Sequence, residues 1–63
     1  MKVRDVISKI EADGWRFVSQ EGSHRHYKHP NKKGKVTVAG HPSDEVKIGT
    51  LLSIERVSDV QLR

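Results

Sequence analysis

The sequence predicts an α+β domain with the order α-β-β-β-α, in which a three-stranded antiparallel sheet carries two helices on one face. An apolar stripe at helical spacing opens the chain, and a second one lies near its end. Between them are three short runs rich in β-branched and aromatic residues, separated by turns. With 63 residues the chain is predicted to form one domain, residues 1–63. The second face of the sheet is expected to stay open, a layout that a ligand can use.

The first helix is predicted over residues 3–13. Its apolar residues follow the i, i+3, i+4, i+7 spacing that gives a helix one buried stripe. These residues are Val3, Val6, Ile7 and Ile10. Gly14 follows at the position where a residue in the left-handed conformation ends a helix.

Three strands are predicted next, over residues 15–20, 24–29 and 35–39. Each run is bounded by Gly, Pro or Asn, which are typical of turns. Trp15 and Phe17 are the largest apolar side chains of a small domain, so we expect both in the core.

The second strand has two chemically different faces, because successive side chains of a strand point to opposite sides. One face is predicted to carry His24, His26 and Lys28. The other face is predicted to carry Arg25, Tyr27 and His29.

The second helix is predicted over residues 48–57. The residues expected to face inward are Ile48, Leu51, Leu52 and Ile54. Glu55 falls within this apolar arc, so either the helix ends early or the carboxylate reaches a rim or a partner. Residues 58–63 have a weak helical pattern, and we expect them to fray or to form an extra strand.

Composition narrows the functional classes. Lys and Arg number 12 against 8 Asp and Glu, and this formal charge of +4 favours polyanionic partners. The chain has no cysteine, which excludes disulfides and thiolate metal ligands. We find no apolar run of signal-peptide or membrane-spanning length, so we expect a cytoplasmic protein without membrane contact.

The excess positive charge is concentrated between Gly22 and Ser43, a stretch without carboxylates. Its five basic residues are Arg25, Lys28, Lys32, Lys33 and Lys35. It also holds all four histidines, His24, His26, His29 and His41. Cations beside imidazoles can hold a phosphodiester and transfer protons on it.

A ribonuclease fits this pattern, because RNA supplies its own nucleophile, the 2′-hydroxyl. The enzyme needs only to move protons and to stabilise the negative charge that develops on the phosphate. Imidazole, whose ordinary pKa is about 6.5, suits the proton transfer, and no metal or cofactor is required. His24 is the leading candidate because it follows the Gly22-Ser23 turn, where glycine permits close approach of a phosphate.

A metal site is the main rival interpretation. His24 and His26 point the same way along one strand, and His29 or His41 would complete a zinc site. Five nearby cations and the absence of acidic or thiolate ligands oppose it, so no metal is predicted. From composition alone, a solvated basic strand without any function also remains open.

The stretch Gly22-Ser23-His24-Arg25-His26-Tyr27-Lys28-His29-Pro30 resembles the signature of the HicA toxins, which are small mRNA interferases. Further matching motifs occur in the same order along the chain. They are Asp13-Gly14-Trp15, Val36-Thr37-Val38, His41-Pro42 and Ile48-Gly49-Thr50-Leu51-Leu52-Ser53-Ile54. The resemblance covers residues 5–54 and weakens at Glu55, Val57 and Asp59, where the family usually has apolar residues and a glycine.

The resemblance implies a fold similar to the double-stranded-RNA-binding domain and cleavage of single-stranded mRNA by one catalytic histidine, which maps onto His24. It also implies a type II toxin–antitoxin system in which a HicB antitoxin covers the active site. The residues predicted to contact RNA are Gly22, Ser23, Arg25, His26, Lys28, Lys32, Lys33 and Lys35. Neither a metal nor a small-molecule cofactor is expected.

Two other functions stay open. One is a non-catalytic RNA-binding module that uses the same basic face for shape recognition. The other is a chain that serves only to bind an antitoxin. The histidine of Gly22-Ser23-His24 favours the enzyme, since simple RNA binding needs lysine and arginine rather than histidine.

Overall fold

The structure, a computed structural model, describes all residues from Met1 to Arg63. Its elements are α1 (Val3–Asp13), β1 (Arg16–Glu21), β2 (His24–Lys28), β3 (Val36–Ala39) and α2 (Ile48–Ser58). The predicted α+β class and the order α-β-β-β-α are therefore confirmed. Neither helix has the length and apolar character that crossing a bilayer requires.

The sheet is an antiparallel meander with β2 in the centre and the order β1-β2-β3. Tyr27 of β2 pairs with Phe17 on β1 and with Val36 on β3. A β-bulge between Phe17 and Ser19 shifts the register of β1 against β2. Because of this shift, Glu21 is the residue of β1 that pairs with His24 beside the turn at Gly22.

Both helices pack on one face of the sheet, as predicted. The core consists of ten buried apolar residues: Val3, Val6, Ile10, Trp15, Tyr27, Val36, Val38, Leu51, Ile54 and Leu62. The sheet contributes Tyr27, Val36 and Val38 to it, so the side chains that alternate with these residues lie on the second, open face.

The ends of α1 are fixed by the loops around them. At its start, the N–H groups of Val3 and Arg4 donate to the carbonyl oxygens of Asp44 (2.9 Å) and Pro42 (3.1 Å). The helix ends at Gly14 with φ +115°, and a Cβ atom there would lie 2.8 Å from His29 Nε2. Only glycine satisfies both the backbone angle and this close approach.

Trp15 lies in the core as predicted, but the prediction for Phe17 is wrong, because its side chain is 53% exposed. β1 and β3 are both edge strands, but the helices pack against β3 rather than over β1. Phe17 therefore only covers the ring of Tyr27, at an edge-on centroid distance of 6.0 Å. The apolar character of Phe17 predicted that it would be buried, but its side chain stays exposed because the helices do not cover β1.

The inward stripe of α2 is narrower than predicted. Leu51 and Ile54 are buried, whereas Ile48 and Leu52 are 59% and 43% exposed, so this part of the prediction is wrong. The third inward position is Ser58, which is fully buried. With 3.6 residues per turn, a stripe through 51, 54 and 58 leaves positions 48 and 52 at the side.

The segment after α2 neither frays nor forms a strand, which corrects the prediction for residues 58–63. Leu62 is buried in the core, and its N–H donates to Glu55 Oε2 at 2.8 Å. The N–H of Arg63 donates to the same oxygen at 3.1 Å, and its Nε lies 3.3 Å from Glu55 Oε1. Glu55, the acidic residue within the predicted apolar arc of α2, therefore holds the last residues of the chain against the core.

Candidate functional site

The open face of the sheet is polar except at Ala39. Register and alternation place three rows of side chains there: Glu21–His24–Ala39, Ser19–His26–Thr37 and Arg16–Lys28. No member of these rows belongs to the buried core. The predicted grouping of His24, His26 and Lys28 on one face is what the register shows.

His24 stands at the end of this face, directly after the β1–β2 turn. Gly22 forms that turn with φ +59°, and apart from its neighbours in the chain no residue has an atom within 4 Å of the point where a Cβ would stand. Among the histidines, only His26 and His29 have ring nitrogens within hydrogen-bond distance of another group. The exposed imidazole of His24 is therefore free to meet a ligand beside an open turn.

His26 is held by the strands on both sides of it. Its Nδ1 lies 2.9 Å from Thr37 Oγ1, and its Nε2 lies 3.3 Å from Glu21 Oε1. The imidazole is 13% exposed, while the side chain of Glu21 is 85% exposed. The threonine hydroxyl can donate or accept, so it can satisfy Nδ1 whether or not this nitrogen carries a proton.

His29 has a structural role instead. Its Nδ1 accepts the N–H of Asn31 at 3.0 Å, so the proton of the neutral ring is on Nε2, which donates to the Asp13 carbonyl oxygen at 2.9 Å. The ring also packs edge-on against Trp15, with centroids 5.4 Å apart. These contacts join the end of β2 to the end of α1, on the side away from the open face.

His41 lies at the same end of the sheet as His24. The N–H of Gly40 donates to the carbonyl oxygen of Ser23 at 3.2 Å, which brings the loop after β3 beside the β1–β2 turn. The backbone of His41 is fixed by its N–H, which donates to Asp44 Oδ2 at 2.9 Å. Its side chain is exposed and has no hydrogen-bond partner in the protein.

Arg25 and Lys28 occupy opposite faces, as their alternation predicts. Arg25 is half-buried on the helix side, where its Nη1 donates to the carbonyl oxygen of Gly40 at 2.7 Å. Lys28 is exposed on the open face opposite Arg16. Of these two predicted phosphate contacts, only Lys28 shares the face of His24.

The lysines of the β2–β3 connection are not equivalent. Lys32 Nζ donates to Asp13 Oδ2 (2.7 Å) and to the carbonyl oxygens of Ser58 (3.1 Å) and Asp59 (3.4 Å). This lysine binds the ends of both helices. Lys33 and Lys35 are exposed and form no ion pair, so their charges face solvent.

Tyr27 lies on the opposite face of β2 from His24, and its side chain is buried in the core. Burial raises the pKa of Tyr27, the nearby carboxylate of Glu11 raises it further, and the charge of Arg25 acts in the opposite direction. Tyr27 is therefore a neutral core residue and does not supply a proton-transfer group to the face of His24.

Glu21 and Thr37 are members of the site that the sequence reasoning missed. The sequence did contain a signal for Glu21, because pairing of the strands across the Gly22-Ser23 turn places Glu21 opposite His24. Glu21 itself directly precedes the basic stretch between Gly22 and Ser43 and was not predicted to belong to the site. No group of three or more His, Cys, Asp or Glu side chains is arranged to hold a metal ion.

A family model described as the HicA toxin of bacterial toxin–antitoxin systems matches residues 3–60. The match includes both helices, all three strands and every residue of the open face. A search of curated proteins found no significant match. Since the family model spans nearly the whole length of the fold, this chain belongs to the HicA family of bacterial toxins.

Proposed function

We propose that this chain is the toxin of a type II toxin–antitoxin system, an endoribonuclease that cleaves single-stranded mRNA in the cytoplasm without a metal or other cofactor. His24 is its catalytic residue. The observation that carries the proposal is the exposed, unpartnered imidazole of His24 beside the open Gly22-Ser23 turn, on a polar sheet face that also presents Arg16 and Lys28.

The reaction is a transesterification within the RNA. The 2′-oxygen attacks the adjacent phosphorus, and the bond from phosphorus to the 5′-oxygen of the next nucleotide breaks. The products are a 2′,3′-cyclic phosphate and a 5′-hydroxyl. His24 accepts the proton of the 2′-hydroxyl or donates one to the leaving oxygen, and both steps suit an imidazole near neutral pH.

The free cations of the face bind the RNA backbone. His24 and Lys28 are four residues apart on β2, about 13 Å along the strand, so Lys28 contacts a different phosphate from the one at His24. Lys33 and Lys35 add positive potential that favours the approach of a polyanion. Arg25 and Lys32 act indirectly, since their charged groups already hold the Gly40 loop and the helix ends.

The protein partner in this proposal is a HicB-type antitoxin that covers the open face. Membership in a family of toxin–antitoxin toxins supports an antitoxin as partner. An antitoxin on this face would block both the imidazole of His24 and the cations around it.

The first test is cleavage of a long single-stranded RNA in the presence of EDTA, comparing wild type with His24→Ala. Wild type is expected to yield 2′,3′-cyclic phosphate ends, and the variant is expected to leave the RNA intact. Circular dichroism of the variant checks that its fold is retained, because His24 is exposed and makes no contact that the core needs. Full cleavage by a folded His24→Ala protein would refute the role of His24.

A non-catalytic RNA-binding module is the second candidate. It is favoured by the fact that Arg16 and Lys28 alone provide a cationic surface on the sheet, whatever His24 does. In that case both proteins retain the RNA, binding weakens steeply with salt, and no new RNA ends appear.

A further inference from the structure

We propose that Glu21 competes with RNA for the open face. In the free protein its carboxylate occupies His26 Nε2, the position where a backbone phosphate of single-stranded RNA binds, and the phosphate displaces it. This inference rests on the proposed function for the identity of the ligand. It assigns to His26 a phosphate-binding role and to Glu21 an inhibitory one.

The geometry leaves His26 one nitrogen for a ligand. Nδ1 is already occupied by Thr37 Oγ1 at 2.9 Å, so only Nε2 can bind another group. The group at Nε2 is Glu21 Oε1, at 3.3 Å. On β2, His26 lies between His24 and Lys28 on the same face, so a phosphate at Nε2 would be in the middle of the site.

The contact between Glu21 and His26 is easily broken. A charge-assisted hydrogen bond between nitrogen and oxygen is usually about 2.7–2.9 Å long, and this one is 3.3 Å. The Glu21 side chain is largely exposed and makes no other hydrogen bond or ion pair. An ion pair whose acidic partner is this exposed contributes little to stability, so the carboxylate of Glu21 can move into solvent.

A backbone phosphate of RNA binds more favourably at this position than the carboxylate of Glu21 does. Glu21 is the only carboxylate in the three rows of the open face, where the formal positive charges belong to Arg16 and Lys28. A diester phosphate offers the same kind of anionic oxygen to Nε2, and the neighbouring phosphates of the RNA reach those cations as well. RNA therefore replaces Glu21, whereas the carboxylate weakens the binding of isolated anions.

The test is the affinity for a fully 2′-O-methylated RNA oligonucleotide, which keeps its phosphates but lacks the attacking hydroxyl. Glu21→Gln is expected to bind this probe about threefold to tenfold more tightly than wild type at low salt. The gain should shrink as salt screens the charge. Glu11→Gln is the matched control, because it makes the same change in net charge on the helix side of the sheet.

The control variant is expected to change the affinity by less than about twofold. Equal effects of Glu21→Gln and Glu11→Gln would overturn the inference, and so would weaker binding by Glu21→Gln, which would make Glu21 a positioning residue for His26. A double variant adds a check: with His26→Gln present, Glu21→Gln should lose most of its gain. An undiminished gain would show that Glu21 acts through general repulsion and would refute the competition at Nε2.

The side-chain signals of His26 in nuclear magnetic resonance spectra provide a readout that needs no His26 variant. The same ring signals are expected to move on addition of the methylated RNA to wild type and on the Glu21→Gln change alone. Ring signals that respond to neither would refute the inference.

Failure of the inference can be told apart from failure of the proposed function. If wild type cleaves unmodified RNA while Glu21→Gln binds no better than the control, only the role of Glu21 is wrong. If neither wild type nor Glu21→Gln binds or cleaves RNA, both proposals are refuted.

Discussion

Lys28 and Lys32 differ in the surroundings of their ammonium groups, although they are four residues apart in one basic stretch. Lys28 is exposed on the open face of the sheet. Lys32 donates to Asp13 and to two carbonyl oxygens at the end of α2. The same residue type is therefore free to meet a ligand in one position and holds the ends of the helices in the other.

Substitution of each lysine by glutamine separates these roles. Lys28→Gln is expected to weaken binding of the methylated RNA and to reduce the slope of log affinity against log salt by about 0.7, the value for one phosphate contact on a single strand. Lys32→Gln is expected to leave the slope unchanged and to lower the free energy of unfolding by about 1 kcal/mol, since it removes the ammonium group that donates to Asp13 and to the carbonyl oxygens of Ser58 and Asp59.

Anisotropy titrations over a range of salt concentrations give the slopes, and urea unfolding followed by circular dichroism gives the stabilities. A reduced slope for Lys32→Gln, or an unchanged one for Lys28→Gln, would contradict the assignment of the two lysines.

At the scale of elements, the main feature is the contact between α2 and the segment that follows it. Glu55 lies on α2 and accepts the N–H groups of Leu62 and Arg63. The bond from Leu62 is the main reason why the pKa of Glu55 is lowered from 4.5; the bond and charge of Arg63 act in the same direction, and burial opposes them. The charged carboxylate thus stabilises the fold.

This feature predicts a loss of stability in acid. Because the pKa of Glu55 is lower in the folded than in the unfolded protein, its contribution is complete above about pH 4.5 and disappears as the pH falls through the folded value. Glu55→Gln is expected to be less stable than wild type at neutral pH, and the difference should vanish in acid. Urea unfolding at several pH values measures the difference.

Hydrogen exchange at the amides of Leu62 and Arg63 gives a local readout of the same contact. Glu55→Gln should speed exchange at these two amides more than at the amides of β2. A stability difference that stays constant down to pH 2 would show that the carboxylate charge has no part in holding the segment.

The fold was predictable from the sequence wherever a pattern is local. The spacing of Val3, Val6 and Ile10 and the glycine after Asp13 sufficed to define α1 from end to end. The exposure of Phe17 was not predictable, because it depends on which strands the helices cover. The docking of Leu62 depends on a carboxylate seven residues earlier that forms no recognisable motif.

In the candidate site, too, local patterns predicted some features, whereas others depend on contacts between distant parts of the chain. Alternation along one strand was enough to place His24, His26 and Lys28 together. The partners of Arg25 and Lys32 are backbone carbonyl oxygens, of Gly40 and Ser58, and every residue type offers such a group. No residue pattern could therefore distinguish these two cations from those that remain free.

At the scale of the whole molecule, the core is small and each member matters. A chain of 63 residues is expected to have a free energy of unfolding of about 3–9 kcal/mol. Leu62 belongs to the ten-residue core although it lies in the segment after the last helix. The domain therefore includes this segment.

Two leucines test this conclusion. Leu62→Ala is expected to lower the free energy of unfolding by about 2–5 kcal/mol, because it removes a fully buried side chain and leaves a cavity. Leu52→Ala, at an exposed position on α2, is expected to change it by less than about 1 kcal/mol. Urea unfolding of the two variants gives the comparison, and similar losses in both would show that Leu62 is not part of the folded core.

The burial of Trp15 has a practical consequence for all of these experiments. It is the only tryptophan of the chain, and its Nε1 donates to the Ser58 carbonyl oxygen at 3.2 Å, on the opposite side of the sheet from the cationic face. Its fluorescence will shift to longer wavelength when the protein unfolds and should not respond to RNA on the other side. One sample with a labelled oligonucleotide can therefore report folding through the indole and binding through the label, so that a variant which has lost its ligand is distinguished at once from one which has lost its structure.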